Sequence, residues 1–190
     1  MITYEFKGGT GTASRIIAMK KGGPTVATYA VGVLVQANCG RRPQLTVAGV
    51  PVGKEILENA PFSKENGSII IVIATDAPLL PHQLKRLARR ASLGLARTGS
   101  VSGNGSGDLF LAFSTANPGA SDAAEPTRTV QTIPNDRMDA LFTATVQATE
   151  EAILNALVDN QPMTGRDGHH IDALPHDRMR ELLKKYNRAR

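Results

Sequence analysis

The spacing of apolar residues changes several times along this chain, and each change marks an element. Residues 14–19 and 25–36 read as extended runs, the second (TVATYAVGVLVQ) rich in valine. Between them Lys20-Lys21-Gly22-Gly23-Pro24 has the composition of a hairpin turn. Asn38-Cys39-Gly40 ends the second run as a turn. Residues 40–67, punctuated by Pro43, Pro51 and Pro61 and closing on Ser63-Lys64-Glu65-Asn66-Gly67, read as an exposed irregular loop. The run 69–74 is β-branched and does not alternate, which predicts a central strand buried on both faces. From Pro81 onward Leu84, Leu87, Ala88, Ala91 and Leu95 recur at helical spacing, with Lys85, Arg86, Arg89, Arg90 and Arg97 on the other faces. That is an amphipathic helix ending near Gly99. A Gly/Ser turn over 99–108, a strand over 109–114 and a loop over 117–134 follow. Asn135 is placed to cap a long helix to about Val158, and Pro175 opens a last helix to about Tyr186. Strands, helix, strand and helices in this order predict a mixed α/β domain in which helices cover a sheet.

Composition narrows the function classes. A hydrophobic fraction of 41% and a charged fraction of 21% exclude a wholly disordered chain. Tryptophan is absent and aromatics are only 4%, so the core is aliphatic and stacking platforms for single strands are scarce. The lone Cys39 excludes an internal disulfide and a cysteine-based zinc site, and a buried thiol is the favoured reading. No apolar run has the length of a membrane span, and Met1–Lys7 lacks the regions of a signal peptide. The cytoplasm is the expected location, with the periplasm left open if the native N-terminus is missing. The net charge is +5, and residues 177–190 carry six basic against two acidic side chains, or +4 of it. The basicity therefore belongs to the C-terminal helix and argues for neither a nucleic-acid nor a membrane partner.

Three chemistries fail on context. Gly8, Gly9 and Gly11 lack a preceding apolar strand and match neither nucleotide fingerprint. His169-His170, near Asp167, Asp172 and His176, lacks helical ligand spacing, so no metal site is expected there. Gly105-Ser106-Gly107 imitates part of a nucleophile elbow but precedes a strand rather than a helix.

Asn66-Gly67-Ser68 abuts the most apolar strand. On composition alone Asn-Gly is a turn dipeptide and Ser68 a strand-start residue. The sharper alternative is a self-cleaving bond between Gly67 and Ser68. Glycine has no Cβ, so its carbonyl is open to the Ser68 hydroxyl. Cleavage would expose the α-amine of Ser68, whose ordinary pKa of about 7.7–8.0 suits it to act as a base near neutrality. Ser106 and Asp108, two residues apart, share a side in an extended segment and could hold the hydroxyl and the amine. Asn38, at a strand end, could donate to an oxyanion. Ordinary loop polarity also accounts for all three.

These residues resemble the DmpA/BapA family of L-aminopeptidase/D-esterases and β-peptidyl aminopeptidases. The resemblance is carried by 66–86 (NGSIIIVIATDAPLLPHQLKR), 5–15, 33–38, Ser106-Gly107-Asp108, 148–153 and 163–168, nearly the whole chain. It implies an αββα sandwich of the DmpA/ornithine acetyltransferase type, cut by itself into a segment 1–67 and a segment 68–190 that together form one domain. By the resemblance Ser68 is the nucleophile, Ser106 and Asp108 its supporting pair, Asn38 the oxyanion donor and Gly67-Ser68 the autocleavage site. A serine hydrolase of short peptides, amides and esters follows, with no metal or organic cofactor, assembled as a homo-oligomer of processed heterodimers. The chain starts where family members are already far into the large subunit, so the expected sandwich is incomplete at its N-terminus and a family tyrosine near the nucleophile has no counterpart. The competing expectations are an acyltransferase of related architecture, against which Ser68 weighs because those enzymes use threonine, and an inactive fragment or binding domain.

Overall fold

The computed structural model describes residues 1–20, 23–61 and 67–189. A short hairpin, β1 (Ile2–Thr3) and β2 (Phe6–Lys7), leads into the long strands β3 (Thr10–Lys20) and β4 (Thr25–Asn38). One helical turn, α1 (Val52–Glu55), precedes β5 (Ser68–Thr75), α2 (Pro81–Arg97), β6 (Leu109–Ser114) and α3 (Asp139–Val158). The small hairpin β7 (Met163–Thr164) and β8 (His170–Ile171) and the helix α4 (His176–Lys185) complete the chain. The main sheet has the order β3-β4-β5-β6, antiparallel except for the parallel pair β5–β6 that α2 connects.

One face of this sheet carries the core. The odd-numbered residues Val31, Val33 and Val35 of β4 and Ile69, Ile71 and Ile73 of β5 are buried beneath Leu87, Ala91 and Leu95 of α2 and Leu141, Ala148 and Ala152 of α3. The two helices also pack on each other, and closely. A Cβ on Gly94 would fall 2.6 Å from the Thr149 side chain and the Val146 carbonyl, so only glycine fits at the crossing. This burial, worth roughly 1.5–3 kcal/mol for each large aliphatic side chain, is the main stabilising term. The described residues thus form two layers, helices on a sheet, out of the four in the expected sandwich.

The structure corrects three expectations. Residues 69–74 form the central strand but are buried on one face only; Ile70 is 42% exposed. A strand with apolar residues on both faces reads as doubly buried whether or not its second face is covered. Residues 40–58 are packed rather than loop-like. Leu45, Val47, Val50, Val52 and Ile56 are buried around the fully enclosed Arg42, whose guanidinium donates to the carbonyls of Tyr4, Glu5, Ile56 and Glu58 and stacks on Phe6. The expected exposed stretch 63–66 lies outside the described residues. Finally, Asn135 starts a 3-10 turn rather than capping α3, and Met138 occupies the N-cap. The Asn135 side chain instead accepts from Gln83 and Arg86 of α2. Among the described residues no helix is long and apolar enough to cross a membrane.

Candidate active site at the start of strand β5

Because side chains alternate along a strand, Ser68, Ile70, Val72 and Ala74 face away from the helices. Ser68 opens β5 and stands directly opposite Asn38, the last residue of β4, in the antiparallel register. The sheet therefore brings two of the candidate residues together from thirty positions apart in sequence, at one end of its open face.

Asn38 is held in one orientation. Its Oδ1 accepts the backbone N–H of Ile2 at 2.8 Å, which assigns the amide and turns Nδ2 the other way. That Nδ2 would lie 3.2 Å from a Cβ built on Gly67. The same Cβ would sit 1.9 Å from the Asn38 carbonyl oxygen, so the chain entering β5 is pressed against Asn38 as only glycine permits. An amide donor and the residue preceding Ser68 are thus neighbours.

The loop before β6 supplies the other side. The Gly107 N–H donates to Ser68 Oγ at 2.8 Å. Asp108 Oδ1 accepts the Ile69 N–H at 3.0 Å, an unusual carboxylate end to a backbone ladder. Its Oδ2 is buried with no hydrogen-bond partner among the described residues. An orphaned buried carboxylate oxygen is costly, and such atoms concentrate where a cation or a reaction completes them.

Ser106 departs from its expected place. The extended stretch begins only at Leu109; Ser106 belongs to a turn in which its N–H donates to the Gly103 carbonyl at 2.8 Å. Its half-buried side chain makes no hydrogen bond to Ser68 among the described residues. The structure therefore brings Ser68, Gly67, Asn38 and Asp108 together and leaves the Ser106 hydroxyl outside the bonded set. Sequence reasoning missed the backbone N–H of Gly107 as the group that touches Ser68 Oγ. Its signal was the glycine between Ser106 and Asp108, since a residue without a Cβ lets its amide approach closely.

Of the histidine pair, His170 is engaged elsewhere. His170 Nδ1 meets Thr164 Oγ1 at 2.8 Å and its Nε2 lies 3.3 Å from Asp172, within the β7–β8 hairpin. No group of three potential ligands converges among the described residues.

Comparison with known proteins adds the following. The profile described as Peptidase family S58 matches residues 1–171. A β-peptidyl aminopeptidase BapA of Sphingosinicella microcystinivorans is 48% identical over 99% of this chain and 50% of its own length. The solved structure of the L-aminopeptidase D-Ala-esterase/amidase from Ochrobactrum anthropi, described as a variant of the Ntn hydrolase fold, superposes with a TM-score of 0.89. It is 46% identical and covers 100% of this chain and 51% of that one. A β-aminopeptidase from a Burkholderia species gives a TM-score of 0.85 at 48% identity, over 97% of this chain and 51% of that one. The chain spans about half the length of the curated relatives it matches.

Proposed function

The chain belongs to peptidase family S58, and on that premise we propose that Ser68 is a self-liberated N-terminal nucleophile that removes N-terminal residues from short peptides, amides or esters. The observation that carries this reading is the contact of Ser68 Oγ with the Gly107 N–H, beside an Asn38 amide turned toward Gly67.

In the first step Ser68 Oγ bonds to the Gly67 carbonyl carbon and the Gly67–Ser68 C–N bond breaks. The hydroxyl proton passes to the departing Ser68 nitrogen, and the Asn38 amide donates to the oxyanion. Water then hydrolyses the resulting ester, giving 1–67 with a carboxylate and 68–190 with a free amine. That amine is held one residue from the Ile69 N–H that Asp108 binds, so the unpaired Oδ2 is an acceptor for its protonated form. In its neutral form the amine takes the Ser68 Oγ proton when a substrate carbonyl replaces Gly67. Acyl transfer to Oγ and hydrolysis release the N-terminal residue. Ser106 is kept as a supporting hydroxyl that would enter the bonded set through rotation within its turn.

The named relatives act, by their descriptions, on β-peptidyl and on L-amino or D-alanyl substrates. Denaturing intact-mass measurement should give fragments 1–67 and 68–190, and the cut protein should hydrolyse an aminoacyl p-nitroanilide. Ser68→Ala should abolish both while leaving the circular dichroism unchanged. An uncut chain without amidase activity would sink the reading.

A further inference from the structure

We infer that the β1–β2 hairpin is a positioning clamp for the Asn38 amide and that Glu5 is the positioning residue that locks it. The inference rests on the reading of Asn38 as the oxyanion donor. Four consecutive hairpin residues grip the chain on both sides of Asn38. The Ile2 N–H holds Asn38 Oδ1, the Thr3 hydroxyl donates to the Ala37 carbonyl at 2.8 Å, and the Tyr4 N–H donates to the Cys39 carbonyl at 2.8 Å. The Tyr4 ring lies against Gly40 and leaves no room there for a Cβ. The Glu5 carboxylate completes the grip. Its Oε2 accepts the Arg42 N–H at 3.0 Å and its Oε1 accepts Arg41 Nε–H at 3.2 Å.

The hairpin does not keep this shape by local preference. Its turn residues Tyr4 and Glu5 have φ of 50° and 62°, in the left-handed region where such a turn favours Asn-Gly. A tyrosine and a glutamate there are strained, and strain of this kind persists only where the surroundings over-determine it. Here they do. Both residues are buried, and Arg42 donates to both of their carbonyls. Thr98 gives its own hydroxyl hydrogen to the Leu95 carbonyl, so the Tyr4 hydroxyl donates to Thr98 Oγ1 at 2.6 Å. Both oxygens of the buried Glu5 carboxylate are used to tie the turn to residues 41 and 42, just beyond Asn38. The torsion of an asparagine amide is soft, so an amide with a free oxygen can present either end. A backbone N–H accepts only the oxygen as its partner, and the Ile2 N–H therefore selects the orientation with Nδ2 toward Gly67. Loosening the hairpin would free the amide without touching any group at the reacting atoms.

Amide hydrogen exchange in the uncut Ser68→Ala chain tests the lock. Glu5→Gln keeps the size of the side chain but sets an NH2 group against one of the two donors. Exchange at the Ile2 and Tyr4 amides should quicken by about tenfold or more, while Leu87 and Ala148 in the two helices stay protected. In the chain that retains Ser68, the same substitution should slow the appearance of fragments 1–67 and 68–190 by about tenfold or more, toward the roughly 10²-fold that a lost oxyanion donor costs. Ile2→Pro removes the N–H that points to Asn38 rather than to β2, at a strand start where proline is tolerated, and should slow cleavage as much. Ile2→Val, which keeps the N–H, should cut at least about tenfold faster than Ile2→Pro. Unchanged exchange at Ile2 and Tyr4 in Glu5→Gln overturns the lock, as does a Glu5→Gln chain that loses protection in the helices as well. Cleavage of Ile2→Pro within about threefold of wild type overturns the clamp. An uncut wild-type chain sinks the reading of Ser68, and the exchange data then still decide whether Glu5 holds the hairpin on Asn38.

Discussion

Replacing Gly67 by alanine tests the proposed cleavage geometry with one methyl group. The added Cβ would sit 1.9 Å from the Asn38 carbonyl oxygen and 2.9 Å from its carbonyl carbon. Both are backbone atoms of a strand end fixed by its ladder, so neither can swing aside as a side chain would. Real Cβ contacts respect about 3.0 Å, so the segment carrying the Gly67 carbonyl must withdraw by at least 1.1 Å. Misplacing a reacting group by about 1 Å costs on the order of 10²-fold in rate. The fold suffers less. Overpacking of this kind costs about 1–3 kcal/mol, offset by roughly 0.4–1 kcal/mol from the stiffer unfolded chain. A fall in Tm of a few degrees is expected, about 2–4 °C per kcal/mol for a chain of this size. The assay is a time course of the fragments 1–67 and 68–190 by denaturing mass measurement, alongside a thermal melt. Gly165→Ala is the control, because its Cβ would meet nothing nearer than 3.8 Å and cleavage should be unaffected. If Gly67→Ala cut itself within about threefold of the wild-type rate, the close approach to Asn38 would have no part in the reaction.

Three other outcomes follow from the same structure. Asp108→Asn keeps an acceptor for the Ile69 N–H but removes the charge at the unpaired Oδ2; aminoacyl p-nitroanilide hydrolysis should fall by about tenfold or more while Tm changes little. Arg42→Met empties the buried centre of residues 40–58. Burial lowers the Arg42 pKa and the carboxylates of Glu5, Asp172 and Glu58 raise it again; the substitution leaves the carbonyls of Tyr4, Glu5, Ile56 and Glu58 without their donor and should cost about 3 kcal/mol or more in urea unfolding. Glu55 ties α4 to α1, and its pKa is lowered by the Tyr186 hydroxyl first and by Lys185 next. A depressed carboxylate stabilises above its unfolded pKa of about 4.3 and loses that contribution as pH falls through the folded value, so an acid titration of Tyr186 fluorescence should flatten in Glu55→Gln.

The fold was legible where period and chemistry agree. The hairpin of β3 and β4, the strand 109–114 and helix α2 were readable because alternation, turn residues and a capping proline point the same way. The burial of Arg42 was not, since four backbone carbonyls and a phenylalanine ring make its pocket and no local pattern encodes them. The doubly apolar pattern of 69–74 gave the strand and its central place correctly but hid that the second face is open. At the site, Ser68 and Asn38 could be named from type and position, but their pairing depends on a register that only the folded ladder fixes. An extended backbone would put Ser106 and Asp108 on one side, but the turn from Gly103 that Ser106 closes is encoded by no local period, and the Ser106 hydroxyl makes no hydrogen bond to Ser68 among the described residues.

The position of the proposed cut at a strand boundary, rather than within a loop, decides what cleavage does to the site. Ser68 is paired with Asn38 through the ladder, and Ile69 behind it is buried and bound to Asp108. Severing the bond before Ser68 therefore frees the Gly67 side while the nucleophile stays anchored by an eight-residue strand between two neighbours. The Asn38 amide that would serve the first carbonyl and the Gly107 N–H that holds Ser68 Oγ are fixed by β4 and by the loop before β6, not by the departing segment. Substrate would then enter a site already ordered by the strands. A nucleophile on a mobile loop would instead incur the cost of that ordering at every turnover.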